Sequence, residues 1–346
     1  MYKWFALKRV LKGIFTYAII ILIVSALFNT VNEQTTKSNI EDQIRAESMR
    51  LKNMQASQVQ RFQQQRREEL YRLYRLDRPL FERILFRTWN VLTLNFGKST
   101  VLKSSRGDRE VLAIVGEALP RSMLLFTVAA AIQIFVGIIL GLKKAQKPGA
   151  PLDRTTSLIT MIVYGMPTFW LAMILIMFFV YQLKIFPSAG MHSVPPPEGI
   201  MYYLDLLWHM ALPLLTLLLI GFWGISFVVR NIVLSILQED YIMAARARGI
   251  PENKVLFGHT LRTAAPPLLT ISILSLLGSI SGAIIFEGIF SWPGLGNLYW
   301  IAVQQNDIPV LMGDLAITVG LYQLGLIVLD LTYGFMDPRI KVGGKA

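Results

Sequence analysis

Long apolar segments alternate with polar connectors along the 346-residue chain. A membrane-crossing α-helix needs about 20 mostly apolar residues, and the segments approach or exceed that length. The pattern therefore predicts an all-α integral membrane protein with six transmembrane helices. The predicted spans are residues 13–28, 122–142, 158–183, 206–229, 264–290 and 310–335.

The first apolar segment follows four basic residues between positions 3 and 12. A basic start and a short apolar run are also typical of a signal peptide. The segment ends in Ser-Ala-Leu-Phe-Asn at 25–29, which is a poor cleavage site because small residues are not correctly spaced. A retained helix is therefore predicted.

The third and fourth predicted spans contain proline. Gly165 and Pro167 interrupt the third, and Pro213 lies near the start of the fourth. Proline removes a backbone donor and frees a carbonyl, so a kink is expected in the third span.

A polar insertion separates the first two spans. Residues 33–75 are rich in Gln, Arg and Glu and lack Gly and Pro, which predicts an exposed, partly amphipathic helix. The predicted domains are 1–28 (N-terminus and first span), 29–118 (extracytoplasmic insertion), 119–336 (five-helix core with a connector at about 230–262) and 337–346 (cytoplasmic tail).

Composition supports this reading. Hydrophobic residues make up 53% of the chain and charged residues 16%, against about 25% charged in soluble domains. The formal net charge is +12, and the basic residues flank the apolar segments, which indicates a lipid surface as the partner and not nucleic acid. The absence of cysteine excludes disulfides and Cys-ligated metals.

The basic residues also predict orientation, because cytoplasmic loops carry an excess of Lys and Arg. Connectors 143–157 and 230–263 are basic, whereas the third-to-fourth connector has only Lys184 and the fifth-to-sixth has no basic residue. Both termini are basic, so both are predicted to be cytoplasmic. The insertion is long enough to be translocated regardless of its charge.

The connector after the fourth span has an unusual pattern. Residues 239–249 combine helix formers, the small residues Ala244 and Ala245, and a terminal Gly249 suited to a left-handed cap. Pro251 is suited to the first position of a following helix. The pattern predicts two short helices outside the membrane, joined by a glycine turn. On physical grounds alone, an ordinary connector and a partner-docking surface stay equally open.

This connector resembles the coupling loop of permease subunits of ABC importers, in the form found in the dipeptide/oligopeptide/nickel branch. Met243 stands at the loop's usual glutamate and Arg262 at its late proline, and the branch shares both departures. The residues assigned to ATPase coupling by this resemblance are Glu239, Asp240, Tyr241, Ala244, Ala245, Arg246, Arg248 and Gly249.

Other segments resemble the same branch in the expected order, although residues 33–70 match it poorly. They are Leu-Asp-Arg-Pro-Leu at 76–80, Leu-Asn-Phe-Gly-Lys-Ser at 94–99, Leu-Pro-Arg-Ser at 119–122, Phe-Pro-Ser-Ala-Gly at 186–190, Ser-Trp-Pro-Gly-Leu-Gly at 291–296 and Asp-Pro-Arg-Ile at 337–340.

The resemblance implies a six-helix fold of the methionine-importer type in the inner or plasma membrane. It also implies a second permease subunit, two ATPase subunits and an extracytoplasmic solute-binding protein. ATP and Mg would belong to the ATPase subunits, with no cofactor and no catalytic residue on this chain. The lack of a G-x-x-x-x-G-K-[ST] sequence agrees with that division, because such a loop holds nucleotide phosphates.

The outer end of the fifth span carries a second candidate site. Glu287 is interpreted either as a carboxylate at the pathway mouth that attracts a peptide amine, or as a structural group. The turn after it is interpreted as an external gate, or else Trp292 and Trp300 anchor at the membrane interface. The gate residues are Glu287, Ser291, Trp292, Pro293 and Gly294.

Other polar residues give weaker signals. Arg230 and Asp330 lie near span ends and are interpreted as structural. The three histidines, His192, His209 and His259, are scattered and include no H-x-x-x-H pair, so neither a metal site nor a metal hydrolase is predicted.

The functional hypothesis is a permease subunit that imports di- or oligopeptides delivered by an external binding protein. Nickel complexes or oligosaccharides are alternative cargoes of the same machinery. A secondary transporter or channel would require ionisable groups deep inside several spans, and the central spans are nearly free of them. A membrane scaffold that works through its insertion is the remaining alternative.

Overall fold

The computed structural model describes residues 2–49 and 56–336. The Asp-Pro-Arg-Ile segment at 337–340 and the predicted tail at 337–346 lie outside the described residues. Within the described ranges the chain is helical and contains no β-strand, only an isolated bridge between Lys98 and Glu110.

Thirteen α-helices occupy these ranges, and two π-helical turns, Met177–Gln182 and Val255–Thr260, extend or join them. The helices are α1 Tyr2–Met49, α2 Ala56–Leu73, α3 Leu80–Leu92, α4 Val111–Gln146, α5 Pro151–Tyr164, α6 Thr168–Ile176, α7 Ile200–Leu237, α8 Asp240–Ala247, α9 Glu252–Lys254, α10 Leu261–Gly278, α11 Ile284–Ile289, α12 Leu295–Gln304 and α13 Ile308–Met336.

Among the described residues, five helical segments are long and apolar enough to cross a membrane, and a sixth span arises if a bent pair counts as one. Only 11% to 28% of the residues in their most apolar windows are buried inside the chain. Apolar surface on this scale requires lipid or partner subunits, since soluble proteins rarely expose it. The segments are Lys3–Thr30, Val111–Gln146, Ile200–Leu237, Glu252–Gly278, Ile308–Gly334 and the pair Pro151–Val163 with Thr168–Gln182.

The predicted break in the third span is confirmed. Helix α5 ends at Tyr164, and α6 begins at Thr168 after a bend of 96°. Pro167 is the N-cap of α6, and the residue before a proline avoids the helical region, so the two helices cannot be continuous there. Pro213, in contrast, lies inside an unbroken α7.

The predicted fifth span is too long at its C-terminal end. Helix α10 stops at Gly278, and the chain then turns through Gly282, whose φ is 67°, before the six-residue α11. The hydropathy pattern does not reveal this break, because residues 279–290 are mostly apolar. A left-handed backbone position ends a helix whatever the polarity of its neighbours.

The second short helix that the sequence predicts in the connector after the fourth span is also wrong as a separate element. Helix α9 has three residues and continues through the π-helical turn Val255–Thr260 into α10. Pro251 is its N-cap and does not occupy the first helical position. The fifth candidate span therefore starts at Glu252, and only α8 is a free-standing helix in this connector.

The chain divides into two compact units. The first combines Met1–Val10, Val115–Ile301 and Gly320–Ala346; the second combines Leu11–Ile114 and Ala302–Val319. In the described part of the first unit, one apolar cluster surrounds Ile242 and Val255 and another surrounds Trp292 and Phe286.

Residues 33–49 and 56–73 of the insertion are helical, as the sequence predicts, whereas residues 93–110 form a loop. The end of α1 packs against α2 through Ile40, Ile44 and Leu70. Arg67 pairs with Glu41 at 2.7 Å, and Arg66 pairs with Glu47 at 2.9 Å. The predicted solvated helix is therefore a helical pair with a small core of its own.

Candidate functional site

Helix α8 is ended by the glycine turn that the sequence predicts. The N–H of Gly249 donates to the carbonyl of Arg246 at 2.9 Å, and the N–H of Ile250 donates to that of Ala245 at 3.3 Å. This pair of bonds is a Schellman motif, which requires a left-handed residue after the helix. Gly249 supplies it with a φ of 75°.

One face of α8 is buried and the other is exposed. Ile242 and Ala245 pack in the cluster that contains Val233, Leu237 and Val255. The exposed face carries six of the predicted coupling residues, together with Met243. They are Glu239, Asp240, Tyr241, Ala244, Arg248 and Gly249.

The other two predicted coupling residues lie against the rest of the unit. Ala245 is 6% exposed, so its side chain is not available to a partner in this conformation. Arg246 donates to Glu252 at 2.6 Å and to the carbonyl of Leu237 at 3.3 Å. The Glu252 carboxylate raises the pKa of Arg246 above its usual value.

Tyr241 links α8 to α10. Its hydroxyl lies 2.8 Å from the Thr263 hydroxyl, while its ring stays 45% exposed. Together with the Arg246–Glu252 pair and the buried Ile242, this contact joins α8 to both α7 and α10. The helix is therefore positioned to move with the ends of two spans.

The charged residues near span ends have partners in the first unit. Arg230 donates to Asp153 at 2.7 Å, and the Asp153 side chain is 4% exposed. Asp330 pairs with Arg9 at 3.0 Å. Lys144 is fully buried close to the Asp153–Arg230 pair, and its Nζ has no hydrogen-bond partner among the described residues.

The outer candidate site is organised around the Glu287 carboxylate. Oε1 accepts the Ser122 hydroxyl at 2.7 Å, and Oε2 accepts the N–H of Asn297 at 2.9 Å. Ser122 Oγ in turn accepts the N–H of Leu295 at 2.7 Å. Glu287 is 0% exposed. Its carboxylate therefore holds the turn that follows α11.

Trp292 is the second anchor of this turn. It is also 0% exposed, and its Nε1 donates to the carbonyl of Arg121 at 2.9 Å. Its burial removes the interface-anchor interpretation for Trp292, whereas Trp300 is 48% exposed and keeps it. The N–H of Gly190 donates to the carbonyl of Phe290 at 2.8 Å.

Three motif segments that are distant in sequence therefore meet at one place. Ser122 ends the 119–122 segment, Gly190 ends the 186–190 segment, and the 291–296 turn lies between them. Sequence reasoning singled out each segment but did not predict that they bind one another. The sequence signal for this contact is Ser122, because a hydroxyl group at the start of an apolar span needs a hydrogen-bond acceptor.

Ser291, Pro293 and Gly294 form the turn itself. Ser291 has a φ of 48°, and the N–H of Trp292 donates to the carbonyl of Glu287 at 2.8 Å. A Cβ added to Gly294 would lie 2.6 Å from Glu287 Oε2, so a side chain there would displace the carboxylate. The turn is packed too closely to accept larger residues at this position.

Two histidines treated as scattered in the sequence share one partner. His192 Nδ1 lies 3.1 Å from Asp205 Oδ2, and His209 Nδ1 lies 2.9 Å from the Asp205 carbonyl. The sequence did not predict this shared partner, which arises because the loop after the third span folds back on the start of α7. The described residues contain no group of three side chains suited to a metal ion.

Sequence comparison with known proteins agrees with these motifs. Residues 133–342 match the family described as "Binding-protein-dependent transport system inner membrane component". The chain is 33% identical over 275 residues to the oligopeptide transport system permease protein AppB of Bacillus subtilis, covering 80% of this chain and 85% of that protein.

Two further relatives have similar names. The di/tripeptide transport system permease protein DppB of Pseudomonas aeruginosa is 32% identical, covering 79% of this chain and 84% of that protein. The dipeptide transport system permease protein DppB of Escherichia coli K12 is 32% identical, covering 77% and 82%. An inward facing structure of the MetNI methionine ABC transporter gives a TM-score of 0.42 at 20% identity, covering 62% of this chain and 97% of that one.

The family match covers more than half of the chain, and the relatives cover more than three quarters of it. They confirm the resemblance drawn from residues 239–249 and 291–296. The chain belongs to the family of binding-protein-dependent transport system inner membrane components.

Proposed function

We propose that this chain is a transmembrane permease subunit of an ATP-driven ABC importer and that its cargo is di- or oligopeptides. Relatives at 32–33% identity are named for oligopeptide, di/tripeptide and dipeptide transport. The observation that carries the proposal is α8, a short helix whose one face is anchored in the unit while the other is exposed.

The exposed face of α8 is the docking surface for an ATPase subunit in this proposal. Its buried face contacts α7 through the cluster around Ile242, and Tyr241 contacts α10 through Thr263. A displacement of α8 is therefore transmitted to two spans as a rigid-body movement. ATP supplies the work if the ATPase subunits bind this face differently in their open and closed states.

The rest of the assembly follows from this role. A second permease subunit, two ATPase subunits that hold ATP and Mg, and an extracytoplasmic solute-binding protein complete the importer. Both termini and α8 lie on the cytoplasmic side, and the insertion lies outside. Family membership favours this assembly over a self-sufficient channel or a scaffold, neither of which requires a binding protein.

The outer turn acts as a rigid external gate. Both Glu287 carboxylate oxygens accept hydrogen bonds from within the unit, from Ser122 and from Asn297. This arrangement favours a positioning role for Glu287 over direct attraction of a peptide amine. Ser291, Trp292, Pro293 and Gly294 then present a fixed surface to the pathway.

The decisive experiment replaces Gly249 with valine in the assembled complex in proteoliposomes. A β-branched residue is strained at a φ of 75°, so the end of α8 must rearrange. We expect ATP hydrolysis to continue while uptake of a labelled tripeptide is lost, with all subunits still co-purifying. Unchanged uptake would contradict the proposal.

Gly149 offers a matched control. It also has a φ of 75°, and a Cβ there, as at Gly249, meets no atom within 4 Å. Gly149 lies in the connector between the second and third spans, outside α8 and its glycine turn. Gly149→Val introduces the same local strain and is expected to leave hydrolysis and uptake coupled.

A further inference from the structure

A cavity of about 300 Å³ in the second unit has a lining in which basic residues are not balanced by acidic ones. It lies between α1, α3 and the first residues of α13, and its lining includes Arg75, Arg83 and Arg87. Neither Asp nor Glu is among the described residues that line it. The cavity therefore carries excess positive charge.

Four hydrogen-bond donors of this lining are buried without an acceptor among the described residues. They belong to Asn29, Arg83 and Arg87, and the atoms are Asn29 Nδ2, Arg83 Nε, Arg83 Nη1 and Arg87 Nη1. Asn29 is 7% exposed, and the Arg83 side chain is 10% exposed. Buried donors left unpaired are costly, and donors of charged groups are more so.

The acidic groups nearby do not neutralise these arginines. Arg83 uses only Nη2 to pair with Glu33, at 2.8 Å, and Glu33 is shared with Lys37 at 2.6 Å. Arg87 has no hydrogen bond or ion pair to any described residue. Arg83 and Arg87 are one helical turn apart on α3, so their charges repel. Burial, followed by the charge of Arg83, lowers the pKa of Arg87.

The chemistry that satisfies this set is an oxyanion. Guanidinium groups present forked donors that match phosphate and carboxylate oxygens, and the Asn29 amide adds a neutral donor. A phosphate group offers more acceptor oxygens than a carboxylate, so it suits a lining of guanidinium groups and an amide better.

The position of the cavity identifies the source of the phosphate. Asn29 lies at the end of the first candidate span, Lys3–Thr30. Helix α3 exposes Phe81, Leu85 and Trp89 along one face, with exposed fractions of 71%, 44% and 66%. Such a face is typical of a helix that lies in the membrane interface, and tryptophan favours headgroup depth.

We propose that the cavity between Asn29, Arg83 and Arg87 binds the phosphate of an anionic phospholipid headgroup. The lipid belongs to the leaflet at the C-terminal end of the first span, which is the outer leaflet in the proposed topology. The residues that line the site include none from α8 or from the turn at 291–296. It does not depend on the identity of the transported solute.

The test uses the purified assembled complex and native mass spectrometry with phosphatidylglycerol as the probe. Arg87→Gln removes one charge-assisted contact, so we expect about tenfold weaker lipid binding. The matched control is Arg61→Gln, because Arg61 is exposed on α2 and does not line this cavity. The control should bind like the parent protein.

Two results would overturn the proposal. One is phosphatidylglycerol binding that is unchanged in Arg87→Gln while its melting temperature shows that the variant is folded. The other is stabilisation of the complex in phosphatidylcholine nanodiscs by inorganic phosphate, with no added effect of phosphatidylglycerol. Neither measurement involves uptake, so a result that overturns the lipid site leaves the proposed transport function intact.

Discussion

Ser122 and Glu287 are 165 positions apart in the chain and are joined by a buried hydrogen bond of 2.7 Å. This bond connects α4, which contains the second span, to the short helix before the outer turn. Ser122 also accepts the N–H of Leu295, so one serine organises both ends of the turn. The outer candidate site is therefore held by a side-chain pair and not by loop sequence alone.

Removal of the carboxylate should destabilise the protein. Glu287→Ala leaves the Ser122 hydroxyl and the Asn297 N–H without their acceptor, and we expect a loss of about 3 kcal/mol of unfolding free energy. Differential scanning fluorimetry of the purified complex measures the effect. Glu110→Ala is the control, because its side chain is 57% exposed. Equal melting temperatures for the two variants would contradict the buried role.

A close backbone approach makes Gly296 intolerant of alanine. A Cβ there would lie 2.7 Å from the backbone of Ala283 and Ile284, so the turn must open. We expect Gly296→Ala to lower both the melting temperature and peptide uptake. Gly288→Ala is the matched control, since its Cβ meets no atom within 4 Å. An unchanged melting temperature and unchanged uptake in Gly296→Ala would contradict this close backbone contact.

Alanine and lysine in place of Arg230 should destabilise the protein to different extents, because Arg230 pairs with Asp153. Arg230→Ala leaves a buried carboxylate unpaired, at an expected cost of about 3–5 kcal/mol, although nearby Lys144 can offset part of it. Arg230→Lys keeps the charge but not the fork of two donors, so it should lie between the parent protein and Arg230→Ala. Thermal unfolding ranks the variants, and the neighbouring exposed Arg154→Ala should be neutral.

The contact between the end of α1 and α2 should depend on pH. The hydrogen bond from Arg67 lowers the pKa of Glu41 below its ordinary value of 4.5. A carboxylate with a lowered folded pKa stabilises the folded state above its unfolded pKa, and the effect is lost as pH falls through the folded value. We therefore expect the contact between α1 and α2 to weaken as the pH falls below about 4.5.

Spin labels at Ala46 and Gln64 report this change by electron paramagnetic resonance distance measurement. Both positions are exposed, and the chain has no cysteine of its own to interfere with labelling. In Glu41→Gln the distance should change less between pH 7 and pH 4. An identical pH response in that variant would assign the opening to other groups.

The orientation of the chain across the membrane can be measured by labelling single cysteines in intact cells. The proposed topology expects a cysteine at Met243 to react only after the membrane is permeabilised. A cysteine at Arg61 should react with an impermeant maleimide from outside. Both residues are exposed. Labelling of position 243 from outside would overturn the assignment of α8 as the coupling helix.

Local features of the fold could be predicted because their causes are local. The six apolar segments all overlap helices long enough to span a bilayer or, for the third, a bent pair. Pro167 ends a helix through its own ring, and Gly249 ends α8 through its own φ. No distant contact is needed for any of these results.

The sequence by itself therefore determined the membrane class, the apolar spans, the third-span break and the glycine turn. Only the tertiary structure decided that α10 ends at Gly278, that α9 joins it, that Ser122 and Glu287 pair, and that Arg83 and Arg87 line one cavity. Hydropathy and turn propensity depend on neighbouring residues. Burial, hydrogen-bond partners and unpaired charge depend on which distant segments pack together.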